Sequence, residues 1–198
     1  MKHPCSGVIL AGGLGTRYGG ENKAFLKVGG VRILDRLFDL FSELFDEIIL
    51  VANRPRDFLE WDALIVPDIF PVRSSLTGIH AGLFYASHPF AFFSACDTPF
   101  LKREIIETVL SEIEPGADLV LPCTSAGFEP LCAAYSRRCL KPAEDHLRVN
   151  KLKIQLALKN CHIKTIPEDR LREKDPDLVS FFNVNTPQDL AQAEQMLR

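Results

Sequence analysis

Val8-Ile9-Leu10-Ala11-Gly12-Gly13-Leu14-Gly15-Thr16-Arg17-Tyr18-Gly19-Gly20-Glu21-Asn22-Lys23 is the stretch whose reading decides the fold. It begins as a short apolar run stopped by glycine, the pattern of a buried strand in a parallel sheet. Five glycines then fall within nine positions, with Arg17 among them and Lys23 closing the run. Glycine accepts positive φ and lets the backbone come close to a ligand. A loop dense in unobstructed N–H groups cradles an anion, and a cation on its rim completes the cradle. The stretch predicts a polyphosphate loop with Arg17 and Lys23 as its charges. The bland alternative is a surface glycine loop with solvated charges.

Two well-known phosphate loops fit poorly. A P-loop ends in Gly-Lys-Ser/Thr, whereas Lys23 follows Asn22. The dinucleotide fingerprint needs Gly-x-Gly-x-x-Gly. Gly13-Leu14-Gly15 supplies its first half, but the next glycine is Gly19, one position late.

Outward from the loop, strand and helix alternate along the chain. Apolar runs predict strands at Val8–Ala11, Glu47–Ala52, Leu64–Val66, Phe90–Cys96, Asp118–Pro122, Pro130–Tyr135, Ile163–Pro167 and Phe181–Val184. Apolar residues at 33, 34, 37, 38, 41, 44 and 45 give Val31–Phe45 a helical face. Further helices are predicted at Leu76–Ala86, at Leu101–Ile113 with Pro99 suiting its first turn, and at Ala143–Asn160 with a break near Asn150. A last helix, Pro187–Arg198, follows Thr186 as N-cap. The charged tract Pro167–Asp177 reads as a surface loop. Such alternation implies an α/β fold: a Rossmann-like, open, mainly parallel sheet with helices on both faces. No Ser- or Pro-rich linker divides the chain, so residues 1–198 are expected to form a single domain. Its nucleotide-binding half is expected over about 1–100 and its acceptor-binding half over about 101–198.

Composition narrows the class. The chain has 198 residues, 46% of them hydrophobic, which is enough for a full core. A net charge of −3 argues against a nucleic-acid partner. No apolar run has the length of a bilayer span, and the apolar stretch after Ser6 is too short for a secretory signal. A cytoplasmic location with no membrane partner is therefore expected. Cys5, Cys96, Cys123, Cys132, Cys139 and Cys161 form no Cys-x-x-Cys pair. They read as small apolar residues rather than bridges or metal ligands.

In open α/β sheets, ligands sit at the carboxyl ends of strands. Gly12, Asn53, Asp68, Asp97, Asn183 and Asn185 all follow predicted strands at that end. Asp97 stands out, delivered by an apolar strand and followed by Thr98-Pro99. It reads either as a magnesium ligand or, with Thr98, as a simple cap of the next helix. Lys23 on the loop rim reads as a triphosphate contact. A cation about 4 Å from a phosphate charge is worth roughly 4 kcal/mol at an effective dielectric near 20. Asn53, Asp68 and Asn185 are also common turn residues. Arg148, Lys151 and Lys153 read as a solvated charge run or as a clamp for an acceptor phosphate.

Four motifs in order give the chain a family resemblance. The opening Leu10-Ala11-Gly12-Gly13, Arg17, Gly19-Gly20 and Lys23 resemble the signature of the molybdenum cofactor guanylyltransferases. Tyr18 and Asn22 stand where that family usually has Met and Asp. Cys96-Asp97-Thr98-Pro99-Phe100 is similar to its Cys-Asp-x-Pro-Phe/Tyr element, and Asn183-Val184-Asn185-Thr186-Pro187-Gln188-Asp189-Leu190 to its Asn-x-Asn-Thr-Pro-Glu-Asp-Leu. Ser74-Ser75-Leu76-Thr77-Gly78 resembles its Gly-Pro-Leu-Ala-Gly, with Ser replacing the Gly-Pro pair.

The resemblance implies a nucleotide-diphospho-sugar transferase type of sheet. It also implies transfer of GMP from GTP to the phosphate of molybdopterin cofactor, with pyrophosphate as the second product. Arg17, Lys23 and Asp97 would be catalytic, and Asp97 would hold the Mg²⁺ cofactor. Leu10, Ala11, Gly12, Gly13, Lys23, Asn53, Asp68, Asp97, Asn183 and Asn185 would contact substrate. Gly12 favours GTP, because cytidine-using relatives carry Leu-Ala-Ala-Gly there. The resemblance admits molybdenum-insertion proteins and molybdoenzyme chaperones as further partners. The competing readings are a relative using CTP or a sugar phosphate acceptor, and a non-catalytic nucleotide-binding protein.

Overall fold

The computed structural model describes residues 2–12 and 23–197. Its strands are β1 (Ser6–Leu10), β2 (Lys27–Val28), β3 (Val31–Arg32), β4 (Ile48–Val51), β5 (Leu64–Val66), β6 (Phe90–Ala95), β7 (Leu119–Thr124), β8 (Gly127–Phe128), β9 (Cys132–Ser136) and β10 (Ile163–Pro167). Its helices are α1 (Ile33–Leu44), α2 (Ser75–Tyr85), α3 (Arg103–Ser111), α4 (Leu140–Arg148), α5 (Ile154–Ala157), α6 (Glu168–Arg172) and α7 (Pro187–Met196). Among these residues eight strands join one sheet in the order β10-β7-β9-β6-β1-β4-β5, with β8 paired to β7. β1 runs parallel to both β4 and β6, β4 is parallel to β5, and β7 is parallel to β10. β9 alone on that path is reversed, antiparallel to β6 and β7. The sheet is therefore mixed and mainly parallel, as the alternation predicts.

Each strand splits its side chains between two cores, as a period of two requires. Ile9, Leu50, Phe92, Val120 and Ala134 pack with Leu37 and Phe41 of α1 and Ile106 and Val109 of α3. Val8, Ile49, Phe93, Leu121 and Tyr135 pack with Ile79 and Leu83 of α2 and Ala143 and Leu147 of α4. Residues of helices thus cover both faces. Gly82 lets α2 lie tightly on the sheet: a Cβ there would fall 2.6 Å from Phe93 and 2.7 Å from Val8. No helix among the described residues is long and apolar enough to cross a membrane.

Several expectations need correction. Phe181–Val184 is not a strand: Val179–Phe181 is a 3₁₀ turn, and the following extended backbone joins no sheet. Asn183 and Asn185 therefore do not follow a strand end. The charged tract after Pro167 is not a loop throughout, since α6 occupies its start and buries Leu171. Pro99 lies ahead of α3 rather than in its first turn, because the N-cap is Lys102. Val31 and Arg32 belong to a short antiparallel hairpin, β2–β3, rather than to α1. The expected break near Asn150 is real: α4 ends at Arg148, and Asn150 takes a left-handed φ of 55°. The six cysteines are free thiols, four of them buried and Cys123 and Cys161 half-buried.

Candidate active site

The chain runs from β1 outward to β4 and β5, then returns through α2 to β6 on the other side of β1. That reversal opens a crevice at the carboxyl ends of the strands, where open α/β sheets bind ligands. A cleft of about 330 Å³ lies there. Leu10 and Gly12 of the β1 end, Asp68, Gly78 of α2, Lys23 and Asp97 are among its walls. Ala11 is fully buried beneath them.

At one side of the cleft three residues distant in sequence meet. Lys23 Nζ lies 3.1 Å from Asp97 Oδ2 and donates to Asn185 Oδ1 at 2.6 Å. Lys23 opens a 3₁₀ turn whose Leu26 N–H returns to the Lys23 carbonyl at 3.1 Å. The β2–β3 hairpin that follows is tied to α7, with Gly29 N–H donating to Glu194 at 2.8 Å. Asn185 is held at its own backbone. Asp189 accepts from the N–H groups of Asn185 and Thr186 at 2.8 and 2.7 Å, and Thr186 accepts from Asp189 N–H at 3.2 Å. This capping box starts α7 as the Thr-Pro sequence predicts. The N–H groups of Asn185 and Thr186 hold the Asp189 carboxyl below its ordinary range. Asp97 and Thr98 cap no helix, so that alternative falls away. Thr98 instead donates to the Ala95 carbonyl at 2.8 Å, inside the turn that aims Asp97.

On the other side Asn53 and Asp68 form a reciprocal pair. Asn53 Nδ2 donates to Asp68 Oδ2 at 2.7 Å, and Asp68 N–H donates to Asn53 Oδ1 at 3.2 Å. Burial pushes the Asp68 carboxyl up, opposed by the Asn53 bond and the nearby charge of Arg73. Ser74 caps α2, accepting from Thr77 N–H at 3.1 Å, and Ser74 and Ser75 line the cleft at that helix's N-terminus.

Other expected residues fall elsewhere. Asn183 lines a smaller cavity that meets the cleft at Leu131, and it donates to the Phe181 carbonyl at 2.9 Å. Gly13 and Arg17 lie outside the described residues. Arg148 pairs with Glu144 one turn earlier, while Lys151 and Lys153 are exposed; none of the three lines the cleft. The sequence reading missed Arg73, whose only signal is a cation beside the Ser-Ser start of α2. It also missed Asp175, whose carboxylate is fully buried against Lys102 Nζ at 2.7 Å and Ser180 N–H at 2.8 Å.

Among the described residues no three His, Cys, Asp or Glu side chains gather as a metal cage. One carboxylate at the edge of an anion cleft still suits Mg²⁺, which takes few protein ligands and fills its shell from phosphates and water. Asp97 is that carboxylate, its Oδ2 facing Lys23. On that one side of the cleft, a polyphosphate can meet both a cation, Lys23, and a carboxylate able to hold a hard divalent ion.

Comparisons with known proteins agree with this architecture. Residues 7–160 match the family model described as a MobA-like NTP transferase domain. A molybdenum cofactor guanylyltransferase of Desulfosudis oleivorans is 48% identical over 98% of this chain and 96% of that protein. A probable molybdenum cofactor guanylyltransferase of Natranaerobius thermophilus is 36% identical over 100% of this chain and 98% of its own. The crystal structure of molybdopterin-guanine dinucleotide biosynthesis protein A from Archaeoglobus fulgidus superposes with a TM-score of 0.86 at 28% identity, covering 97% and 98% of the two chains. In fold alone, 2-C-methyl-D-erythritol 4-phosphate cytidylyltransferase from Thermus thermophilus is also similar. Its TM-score is 0.69 at 19% identity over 99% of this chain and 98% of that one.

Proposed function

Because the chain belongs to the MobA-like NTP transferase domain family and is a nucleotidyltransferase, we propose that it transfers GMP from GTP to the phosphate of molybdopterin cofactor. The observation that carries this reading is the approach of Lys23 Nζ to Asp97 Oδ2 at 3.1 Å across the carboxyl ends of β1 and β6. The names of relatives, molybdenum cofactor guanylyltransferases, support this choice of substrates. An oxygen of the acceptor phosphate attacks the α-phosphorus of GTP, the bond to the bridging oxygen breaks, and pyrophosphate leaves. No general base is needed, because a phosphate nucleophile is already ionised. Such transfers depend on positioning and charge neutralisation.

Lys23 then serves as the cation for the charge that gathers on the leaving pyrophosphate. Arg17 and the N–H groups after Gly12 share that task, and Leu10, Ala11, Gly12 and Gly13 form the loop's approach to the nucleotide. Asp97 would hold Mg²⁺, which would supply Lewis-acid neutralisation of the phosphates when bound. Asn53 and Asp68 fix the nucleoside, and Asn185 orients the Lys23 ammonium. Asn183 serves the acceptor side. Residues 1–198 work as a single domain, with nucleotide and acceptor halves meeting at Asp97, in the cytoplasm.

Pyrophosphate release with GTP, Mg²⁺ and molybdopterin tests the reaction, and titration of GTP against CTP tests the base. Release with GTP and a preference for GTP are expected. A preference for CTP would reject the guanylyl assignment. Absence of release with either nucleotide would reject transfer to molybdopterin.

A further inference from the structure

Two more cavities continue from the cleft on the side of β6 away from β1. The first, about 150 Å³, shares Leu131 with the cleft and is walled by Thr98, Pro130, Phe181, Asn183 and Glu129. The second, about 340 Å³, shares Glu129 and Phe181 with the first. Glu129 is thus the charged side chain common to both. It sits in a turn fixed by its own backbone, with its N–H on the Pro122 carbonyl and its carbonyl accepting from Cys132 N–H, both at 3.0 Å.

The carboxylate is half-buried and pairs with no Lys, Arg or His among the described residues. It accepts a long hydrogen bond from Thr124 Oγ1 at Oε1, 3.3 Å. Withdrawing a carboxylate from water without a cation or good donors is costly. Neighbouring Phe181, Pro130 and Leu131 make the walls apolar and suited to a flat ring. A carboxylate with two free lone-pair faces accepts two parallel N–H bonds, the complement of an amidine-like edge.

We propose that Glu129 receives the 2-amino-4-oxopyrimidine edge of the acceptor's pterin ring, making these cavities the acceptor's ring subsite. The proposal rests on the reading of the chain as a molybdopterin guanylyltransferase. Guanine carries the same edge, and strand order favours the acceptor. Asn53, Asp68 and the start of α2 lie on the β5-β4-β1 side of Asp97, whereas Glu129 leads into β9 on the other side of β6. A phosphate held next to Asp97, with its ring passing Leu131, points into this trough. Thr98 follows Asp97 directly, so one turn serves both ends of that substrate.

The test uses the full-length protein and Glu129→Gln, which turns one acceptor oxygen into a donor. Fluorescence titration with neopterin reads the edge, and lumazine, which lacks the 2-amino group, is its control. Kinetics with GTP–Mg²⁺ and varied molybdopterin read the acceptor. Neopterin is expected to bind the wild type more tightly than lumazine does. Glu129→Gln is expected to lose roughly tenfold or more in neopterin affinity and in acceptor KM, with GTP affinity unchanged to within about a factor of two. Equal binding of neopterin and lumazine, or an unchanged acceptor KM in Glu129→Gln, would overturn the subsite. Loss of GTP affinity with neopterin affinity intact would also overturn it, by giving the edge to guanine. Neopterin binding through Glu129 without pyrophosphate release from GTP in the presence of molybdopterin would keep the pterin contact and remove the functional reading.

Discussion

The backbone N–H of Val184 donates to the carbonyl of Asp97 at 2.9 Å. This bond fastens an irregular segment from late in the chain to the turn after β6, and it sets Asn185 beside Lys23. The segment is anchored at its other end by a buried carboxylate. Asp175 accepts from Lys102 Nζ and from Ser180 N–H, and Ser180 Oγ accepts from Lys102 N–H at 3.1 Å. Hydrogen bonds thus tie the start of α3, the 175–185 segment and Asp97 to one another. An apolar run that reads as a strand is used instead as a strap across the site.

Removing either partner of the Lys23–Asp97 pair tests the proposed chemistry. Asp97→Ala deletes the carboxylate proposed to hold the divalent ion, and turnover is expected to vanish. Lys23→Ala leaves that ligand and removes one cation, so kcat is expected to fall on the order of 10- to 1,000-fold. Pyrophosphate release under saturating GTP–Mg²⁺ measures both. Near-wild-type turnover by Asp97→Ala would remove the metal role.

Asp175 gives a pH prediction. Burial pushes its carboxyl up, but the Lys102 and Ser180 hydrogen bonds outweigh this and hold it below the ordinary value. A folded-state pKa below the unfolded one adds stability that is present above the unfolded pKa and is lost as pH falls through the folded one. The unfolded value is about 3.9, so the contribution is intact at neutral pH and fades below about pH 4. Breaking a buried pair costs about 3–5 kcal/mol, and the half-exposed Lys102 ammonium places Asp175→Asn near the lower end, roughly 3 kcal/mol. Urea unfolding should show that gap at pH 7 and a narrower one near pH 3. A constant gap across that range would contradict the assignment.

How far the sequence revealed this site depends on what kind of signal each part leaves. β1, β4, β5 and β6 are apolar runs ended by Gly12, Asn53, Asp68 and Asp97, so the crevice-lining ends were legible from period and punctuation alone. β9 was legible as a strand but not as the reversed one, because the apolar pattern of Cys132-Ala133-Ala134-Tyr135 carries no signal of direction. Val184 is apolar and fully buried, which mimics a strand, yet its N–H goes to a turn carbonyl rather than to a ladder. Asp175 was hidden in a charged tract, where a buried carboxylate looks like its solvated neighbours. Glu129 is a lone acid before Pro130, and only the cavities on either side of it single it out.

Gly82 is a packing requirement with a measurable cost. A methyl there would meet the ring of Phe93 at 2.6 Å and Val8 Cγ1 at 2.7 Å, and both neighbours are fully buried. Overpacking of this kind costs about 1–3 kcal/mol, which outweighs the better helix propensity of alanine, worth about 1 kcal/mol. Gly82→Ala should unfold at lower urea concentration with an unchanged m-value. A midpoint at or above that of the wild type would show that α2 can lift from the sheet without loss.

Gly12→Ala separates nucleotide choice from stability. A Cβ at Gly12 would lie 3.5 Å from Asn53 Nδ2 and 3.6 Å from the Val51 carbonyl, ordinary contact distances, and the backbone there does not take a positive φ. The fold should accept the methyl, with a change in unfolding free energy within about 0.5 kcal/mol. The methyl would nevertheless stand on the wall of the cleft, beside the Asn53–Asp68 pair proposed to fix the nucleoside. A larger purine loses more than a pyrimidine when its pocket tightens, so GTP affinity should fall relative to CTP by on the order of tenfold. Paired titrations of both nucleotides with Mg²⁺, alongside a urea melt, measure the two effects. Equal losses for GTP and CTP with the melt unchanged would mean that Gly12 serves the phosphates rather than the base.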